Sequence, residues 1–191
     1  MGSCDFCKVE PEEPLKSCVC RKVSYCSKEC QAKDWKTHKP SCPPFIIRES
    51  PGKGRGLFAT RRIQNGKSIL MVDAATVAEL SQIVSLINHS CVPNATYGSV
   101  MEDCTRRHFR ALRTIENREE ILVSYLPDGE FVSGSREFRR QQLLEKRGFL
   151  CECSECSLEG EALEKSDRKR AELKEQPWFV SGLQKQKLER Q

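Results

Sequence analysis

Short-spaced cysteine pairs constrain this chain more than any other feature of it. Twelve cysteines occur in 191 residues. Within the first 42 residues stand Cys4, Cys7, Cys18, Cys20, Cys26, Cys30, His38 and Cys42, spaced as C-x2-C, C-x-C, C-x3-C and H-x3-C. Residues one to three apart can bite a single ion from a turn or a helix start, and zinc takes four thiolate or imidazole ligands in a tetrahedron. Eight such ligands imply two ions. A stretch of about forty residues cannot build an adequate apolar core, so metal binding would supply most of its folding energy. Disulfides are the competing explanation, and they need an oxidising compartment. The opening Met1-Gly2-Ser3-Cys4-Asp5-Phe6 has neither a basic n-region nor an apolar h-region, so no secretory signal is expected. The metal explanation is preferred.

A third set lies far downstream. Cys151, Cys153 and Cys156 form C-x-C-x2-C, three ligands in need of a fourth. Cys91, in Asn88-His89-Ser90-Cys91-Val92-Pro93-Asn94, is the candidate; if it closes the tetrahedron, a zinc ion ties the C-terminal segment onto the body of the domain. Cys104 is then left over as a small apolar residue.

Composition excludes several classes. Charged residues make up 31%, mean hydropathy is −0.58, and the longest apolar run is of the order of Ile69-Leu70-Met71-Val72, so no membrane span is expected. Gly2 would suit myristoylation, but Phe6 stands where serine or threonine is needed. The net charge of +5 is spread out, and runs such as Arg106-Arg107 and Arg139-Arg140 read as solvated surface rather than nucleic-acid contacts.

Along the chain, Pro40 to Pro44 forms a rigid connector. Short strands are predicted at Phe45–Ile47, Lys67–Val72, Ala95–Gly98, His108–Leu112 and Ile121–Val123, with Asn65-Gly66 as a hairpin turn. The glycines of Gly52-Lys53-Gly54-Arg55-Gly56 suit either close approach to a ligand or a simple hairpin. A helix is predicted over 74–87 with Val77, Leu80, Val84 and Ile87 on one face. A second is predicted over Arg136–Lys146, with Phe138, Leu143 and Leu144 inward and Gly148 as its stop. From Leu158 the chain reads as a solvated helix broken near Pro177, with Trp178-Phe179 expected to dock back rather than to mark a partner site.

The stretch Tyr25-Cys26-Ser27-Lys28-Glu29-Cys30-Gln31-Ala32-Lys33-Asp34-Trp35-Lys36-Thr37-His38-Lys39 closely resembles the MYND finger, and the resemblance covers residues 4–42. It departs only at Cys18-Val19-Cys20, where two intervening residues are usual. The resemblance implies a cross-brace: Cys4, Cys7, Cys26 and Cys30 hold one zinc, and Cys18, Cys20, His38 and Cys42 the other. It also implies docking of a proline-rich peptide, the plainer alternative being a finger that packs on its neighbouring domain.

Four further segments resemble, in order, the SET domain: GKGRGLFATRRI its glycine loop, SLINHSCVPNATY its central block, FRALRTIENREEILVSYL the segment ending in the active-site tyrosine, and RGFLCECSEC its post-SET tail. The whole resembles a shortened, fungal-type relative of the SET-and-MYND family. That implies an α+β fold: a β-rich SET-type domain with short helices, a cross-braced two-zinc MYND finger and a post-SET zinc site. It implies protein-lysine methyl transfer from S-adenosylmethionine. Gly54, Arg55 and Gly56 would approach the donor's methionine part, Asn88 and His89 would contact it, Phe149 would stack on the adenine, and Tyr125 would align the reacting groups. Outside these motifs His89 and Tyr125 would read as core packing.

The expected domains are a finger at 1–43, a SET domain at 44–130, a helix with the post-SET cysteines at 131–157, and a charged tail at 158–191. The SET segment departs from the family in three places. The insert between Val72 and Asn88 is short, Asn117-Arg118 stands where a glycine usually precedes paired glutamates, and the C-terminal helical domain of larger members is not expected. A catalytically weak or inactive interaction adaptor is therefore the alternative to a histone or non-histone lysine methyltransferase. A nuclear or cytoplasmic location is expected, with no direct nucleic-acid contact and no membrane.

Overall fold

The computed structural model describes residues 2–18, 22–73, 83–100, 103–127 and 132–176. Its elements begin with β1 (Lys16–Ser17), β2 (Ser24–Tyr25), α1 (Lys28–His38), β3 (Phe45–Ser50), β4 (Gly54–Ala59) and β5 (Ser68–Asp73). They continue with β6 (Asn88–His89), β7 (Ala95–Val100), β8 (Asp103–Ala111), β9 (Glu120–Val123), α2 (Arg136–Arg147) and α3 (Gly160–Lys174). The chain divides into two compact units, Met1–Leu86 with Tyr97–Ile121, and Ile87–Thr96 with Leu122–Gln191.

In the first unit, β1 and β2 pair antiparallel and lead into α1. Ser27 caps α1 by accepting the Cys30 N–H, Glu29 sits at its positive end and Lys36 and His38 at its negative end. Only His38 is buried on α1, so the helix is anchored by that imidazole rather than by an apolar stripe. Next, β3 and β4 form a hairpin in register from Phe45↔Ala59 to Ser50↔Gly54. The glycine loop is its turn: Lys53 N–H donates to the Ser50 carbonyl at 3.0 Å, and Gly52 and Gly54 have φ of +72° and +74°. Side chains rarely adopt that conformation, which accounts for the glycines.

Strands β5, β8 and β7 make a three-stranded sheet in that order. β8 starts at Asp103, earlier than the predicted His108. Asp103-Cys104-Thr105-Arg106-Arg107 has too little apolar alternation to be read as a strand, but pairing with β5 (Val72↔Arg107, Asp73↔Arg106) draws it in. The start of β9 pairs with β4 through Leu57↔Ile121 and Phe58↔Glu120. Leu57, Phe58, Ile63, Phe109, Ile115 and Ile121 are buried and form the apolar interior. Arg118 takes φ +71°, donating its N–H to the Ala59 carbonyl at 2.8 Å. The left-handed turn is thus made with an arginine, at a cost of about 1 kcal/mol. Residues 74–82 of the predicted 74–87 helix lie outside the described residues, whereas Ile87, assigned to the second unit, is buried.

In the second unit, β6 runs parallel to the end of β9 (Asn88↔Leu122, His89↔Val123). α2 starts at the Ser135 cap and stops at Gly148, whose φ of +76° lets its N–H reach the Leu144 carbonyl. The inward face differs from expectation. Phe138 and Leu144 are 40% and 49% exposed, and Arg139 and Leu143 are fully buried. The run Arg139-Arg140 is correspondingly not solvated surface. Arg139 and Leu143 lie one turn apart on the same face, and the arginine is accepted there because polar partners meet it. α3 buries no residue and is tied down by polar contacts: Arg170 reaches the Val132 carbonyl at 3.1 Å and Glu155 at 3.3 Å, and the Arg136 N–H donates to Asp167 at 2.9 Å. Pro177, Trp178 and Phe179 lie outside the described residues. No helix among the described residues is long and apolar enough to cross a membrane.

Candidate functional site

Three groups of potential ligands assemble, each with its donor atoms within 4.8 Å of one another: Cys4, Cys7, Cys26 and Cys30; Cys18, His38 and Cys42; and Cys91, Cys151, Cys153 and Cys156. Cys20 lies outside the described residues. Zinc at about 2.3 Å from four sulfurs in a tetrahedron sets the sulfurs about 3.8 Å apart. The Sγ–Sγ distances are 3.6 Å for Cys7–Cys26, 3.5 Å for Cys26–Cys30, 3.8 Å for Cys18–Cys42, 3.5 Å for Cys91–Cys156 and 3.9 Å for Cys91–Cys151. These match a shared ion and are far longer than a disulfide bond.

In the first unit the bites are made by turns. Lys8 at φ +62° donates to the Cys4 carbonyl at 2.8 Å, folding Cys4 and Cys7 together, and the α1 cap brings Cys26 and Cys30 to the same point. Burial opposes ionisation of Cys4, but the backbone N–H groups of Cys7, Cys26 and Phe6 outweigh it and bring the thiol down to about 6. Cys26 is pushed up to about 12, first by the thiols of Cys30 and Cys7 and then by burial. At the other end of α1, the Cys42 N–H returns to the His38 carbonyl at 3.1 Å, setting that pair.

In the second unit the four thiols are more tightly enclosed. Cys91 is pushed far up, chiefly by hydrogen bonding to the Cys151 thiol, and Cys151 is pushed up by those of Cys153 and Cys156. Cys153 is pulled far down by the Cys151 and Cys156 thiols, and Cys156 comes down to about 7 through Cys151. One thiolate is stabilised by its neighbours, and a second would face it without screening. A divalent cation removes that conflict, so the donor set fits zinc.

His89 links this cluster to a group of packed aromatic rings. It is buried, its Nδ1 accepts the Tyr125 backbone N–H at 3.0 Å, and its Nε2 lies 3.3 Å from Cys91 Sγ. With Nδ1 accepting, a neutral ring carries its proton on Nε2 and donates it toward the sulfur. The Tyr125 hydroxyl donates to the Ile87 carbonyl at 2.5 Å. Ring centroids of His89 and Tyr125 are 5.3 Å apart, those of His89 and Phe149 6.1 Å, and those of Tyr125 and Phe149 6.3 Å in an edge-on arrangement. The Arg147 guanidinium stands 5.4 Å from the Tyr125 ring centre. Asn88, His89, Tyr125 and Phe149 therefore all belong to the second unit, whereas Gly54, Arg55 and Gly56 open β4 in the first.

The family model of the MYND finger matches residues 4–42, and that of the SET domain matches residues 70–126. The chain joins a MYND finger to a SET domain. It is 26% identical over 225 residues to the histone-lysine N-methyltransferase SMYD3 of Homo sapiens, covering 80% of this chain and 51% of that protein. The histone-lysine N-methyltransferase set5 of Schizosaccharomyces pombe is 38% identical over 92 residues, 47% of this chain and 27% of that protein. The protein-lysine N-trimethyltransferase SMYD5 of Homo sapiens is 42% identical over 77 residues, 40% of this chain and 18% of that protein. The chain thus spans about half the length of the SMYD3 relatives it matches.

Within the SET domain's central block, two residues not singled out from the sequence prove to be its fasteners. Asn94 is buried, accepts the Leu122 N–H on Oδ1 at 2.8 Å and donates its own N–H to the Leu122 carbonyl at 3.2 Å. Ser90 donates its N–H to the Val123 carbonyl at 3.0 Å, and its Oγ accepts the Val92 N–H at 3.1 Å. The string Asn-His-Ser-Cys-x-Pro-Asn was legible as a motif, but spacing carries no sign that its polar ends clamp β9. In the MYND finger the missed residue is Tyr25, buried, with its hydroxyl donating to Asp34 at 2.7 Å and its own ionisation pushed well up, first by burial and then by that carboxylate.

Proposed function

We propose that this chain is a protein-lysine N-methyltransferase using S-adenosylmethionine, acting on a histone or another protein. The observation that carries the reading is the chain of contacts in the second unit. A four-thiol cluster holds His89, His89 holds the Tyr125 backbone, and Phe149 stands over both. The donor set suits such a cofactor: the half-buried Phe149 face would take an adenine, Asn88 and His89 would contact the donor, and the Tyr125 hydroxyl with the Ile87 carbonyl forms an oxygen-lined spot beside the reacting centre. When bound, S-adenosylmethionine supplies an electrophilic methyl group on a positively charged sulfur.

The protein's own part is positional. Lysine must attack as a neutral amine, and a site that withholds water lowers its pKa from about 10.4 toward neutrality. Tyr125 is placed to orient that amine, its hydroxyl direction set by the Ile87 carbonyl and its backbone by His89. Alignment of donor and acceptor is where an in-line transfer gains most. Support from relatives is that SMYD3, set5 and SMYD5 are all named as lysine methyltransferases. Gly54, Arg55 and Gly56 keep their assigned role as part of the same proposal. The MYND finger is proposed to dock a proline-rich segment of a protein partner, and the location to be nucleus or cytoplasm, where thiols stay reduced.

Calorimetric titration of the folded, zinc-loaded chain with S-adenosylmethionine tests the first step. Binding is expected, and the absence of any heat would turn the reading toward an interaction adaptor. A labelled-methyl assay on a panel of proteins tests the second. Tyr125→Phe is expected to lower turnover by roughly a hundredfold with little change in donor binding, and equal turnover would overturn the catalytic assignment.

A further inference from the structure

We propose that Arg139 is the charge-compensating partner of the C-terminal zinc–thiolate cluster, a positioning residue that governs how tightly that one ion is held. This rests on the zinc reading of Cys91, Cys151, Cys153 and Cys156.

Arg139 is a cation with no exposure to solvent at all. Arginine is almost never fully buried unless paired, because an uncompensated buried charge costs several kcal/mol. Among the described residues its partners do not reach every donor nitrogen. Nη1 donates to the Gly134 carbonyl and stands 4.0 Å from Asp167, a carboxylate that is 30% exposed. Nε has no hydrogen-bond partner among the described residues. Nη2, however, points at Cys156 Sγ at 3.9 Å. Four thiolates around one zinc leave a net charge of about −2, and that charge sits beside the guanidinium. The loaded cluster supplies the arginine with a second counter-charge beside Asp167, and the arginine answers the cluster's own charge.

The placement follows from α2. Arg139 and Leu143 share the buried face, so the helix sets the guanidinium against the cluster while Leu143 packs on the same group of residues. An N–H donated to a coordinating sulfur stabilises the thiolate, and it disfavours release of the ion with capture of the freed sulfur by an electrophile. His89 supplies a matching contact at Cys91.

The test uses the full-length chain loaded with zinc. A colorimetric chelator reports the rate of zinc loss, and iodoacetamide labelling read by peptide mass spectrometry reports which cysteines open. Arg139→Met is expected to release one ion in three about ten- to a hundredfold faster, with labelling confined to Cys91, Cys151, Cys153 and Cys156. Arg139→Lys should fall between methionine and the parent, because it restores charge without the forked donor. The opposite order, with methionine holding zinc better than lysine, would show that the site needs volume rather than charge and would overturn the proposal. If the methionine variant does not fold, the lysine variant must still lose its third ion severalfold faster than the parent, and equality would overturn it. A parent chain that binds only two ions would remove the zinc reading itself and the proposal with it.

Discussion

The MYND finger and the C-terminal cluster both gather cysteines around a point, yet they are built in opposite ways. In the finger, Cys4, Cys18 and Cys42 are buried but Cys7 is exposed and Cys26 and Cys30 are half-buried, all candidate ligands come from one short stretch, and Tyr25 is the one fully buried side chain besides cysteine in their cluster among the described residues. In the C-terminal cluster, Cys91 is joined by three cysteines from sixty residues downstream, and Leu126, Leu143, Tyr125 and Phe149 pack around them. The first is a fold made of its ligands. The second is a clasp set into an apolar core, with a cation held against it. The lesson is that the same ligand chemistry can replace a core or pin one, and that pinning demands charge compensation because it happens away from water.

The largest effect should come from removing metal. Chelation is expected to unfold the finger altogether, because zinc supplies roughly 10–16 kcal/mol of apparent folding energy in such modules. The second unit should keep part of its helix content. Circular dichroism of the chelated chain, with Trp35 fluorescence as the finger's reporter, checks this, and a finger still folded without metal would break the contrast. Leu143→Ala comes next. With its side chain wholly buried, the loss should be about 3 kcal/mol, confined to the second unit. Denaturant melts should show it together with faster labelling of Cys151 and unchanged labelling of Cys4.

Tyr25→Phe should cost the finger about 1 kcal/mol, because Asp34 keeps its carboxylate but loses the buried hydroxyl donor. The matched measurement is zinc affinity of the finger, with the third site unaffected. Smallest is Arg118→Gly, which relieves a left-handed turn remote from the ligands. A gain of about 0.5–1 kcal/mol is expected, part of the relief being offset by added freedom in the unfolded chain. Zinc release from all sites should stay at parent rates, and a change there would mean that the sites are not independent of that turn.

Local features of the fold were legible because they are encoded locally. Ser135 and Gly148 bracket α2, and the strands at Phe45, Ser68 and Glu120 follow short β-branched or apolar runs. Asn65-Gly66 does turn, but β4 before it and β5 after it lie in different sheets, so it closes no hairpin between them. β6 was not legible, since two residues have no period to read, and it exists only because Asn94 and Ser90 fasten the end of β9 beside it. The site divides in the same manner. The histidine and tyrosine were singled out through their motifs, but that one nitrogen of His89 faces Tyr125 and the other faces Cys91 is a fact of the folded unit.

By itself the sequence offered the candidate thiol and imidazole donors and the bites they can make, because spacing within a turn sets which atoms reach a common point. Only the tertiary structure decided what stands behind those donors. α2 turns Arg139 inward and leaves Phe138 in solvent, against the hydropathy pattern, because a buried cation is tolerated where distant residues bring it an anionic partner. That partner lies 17 residues on in the chain, beyond the end of the helix whose pattern would have to announce it.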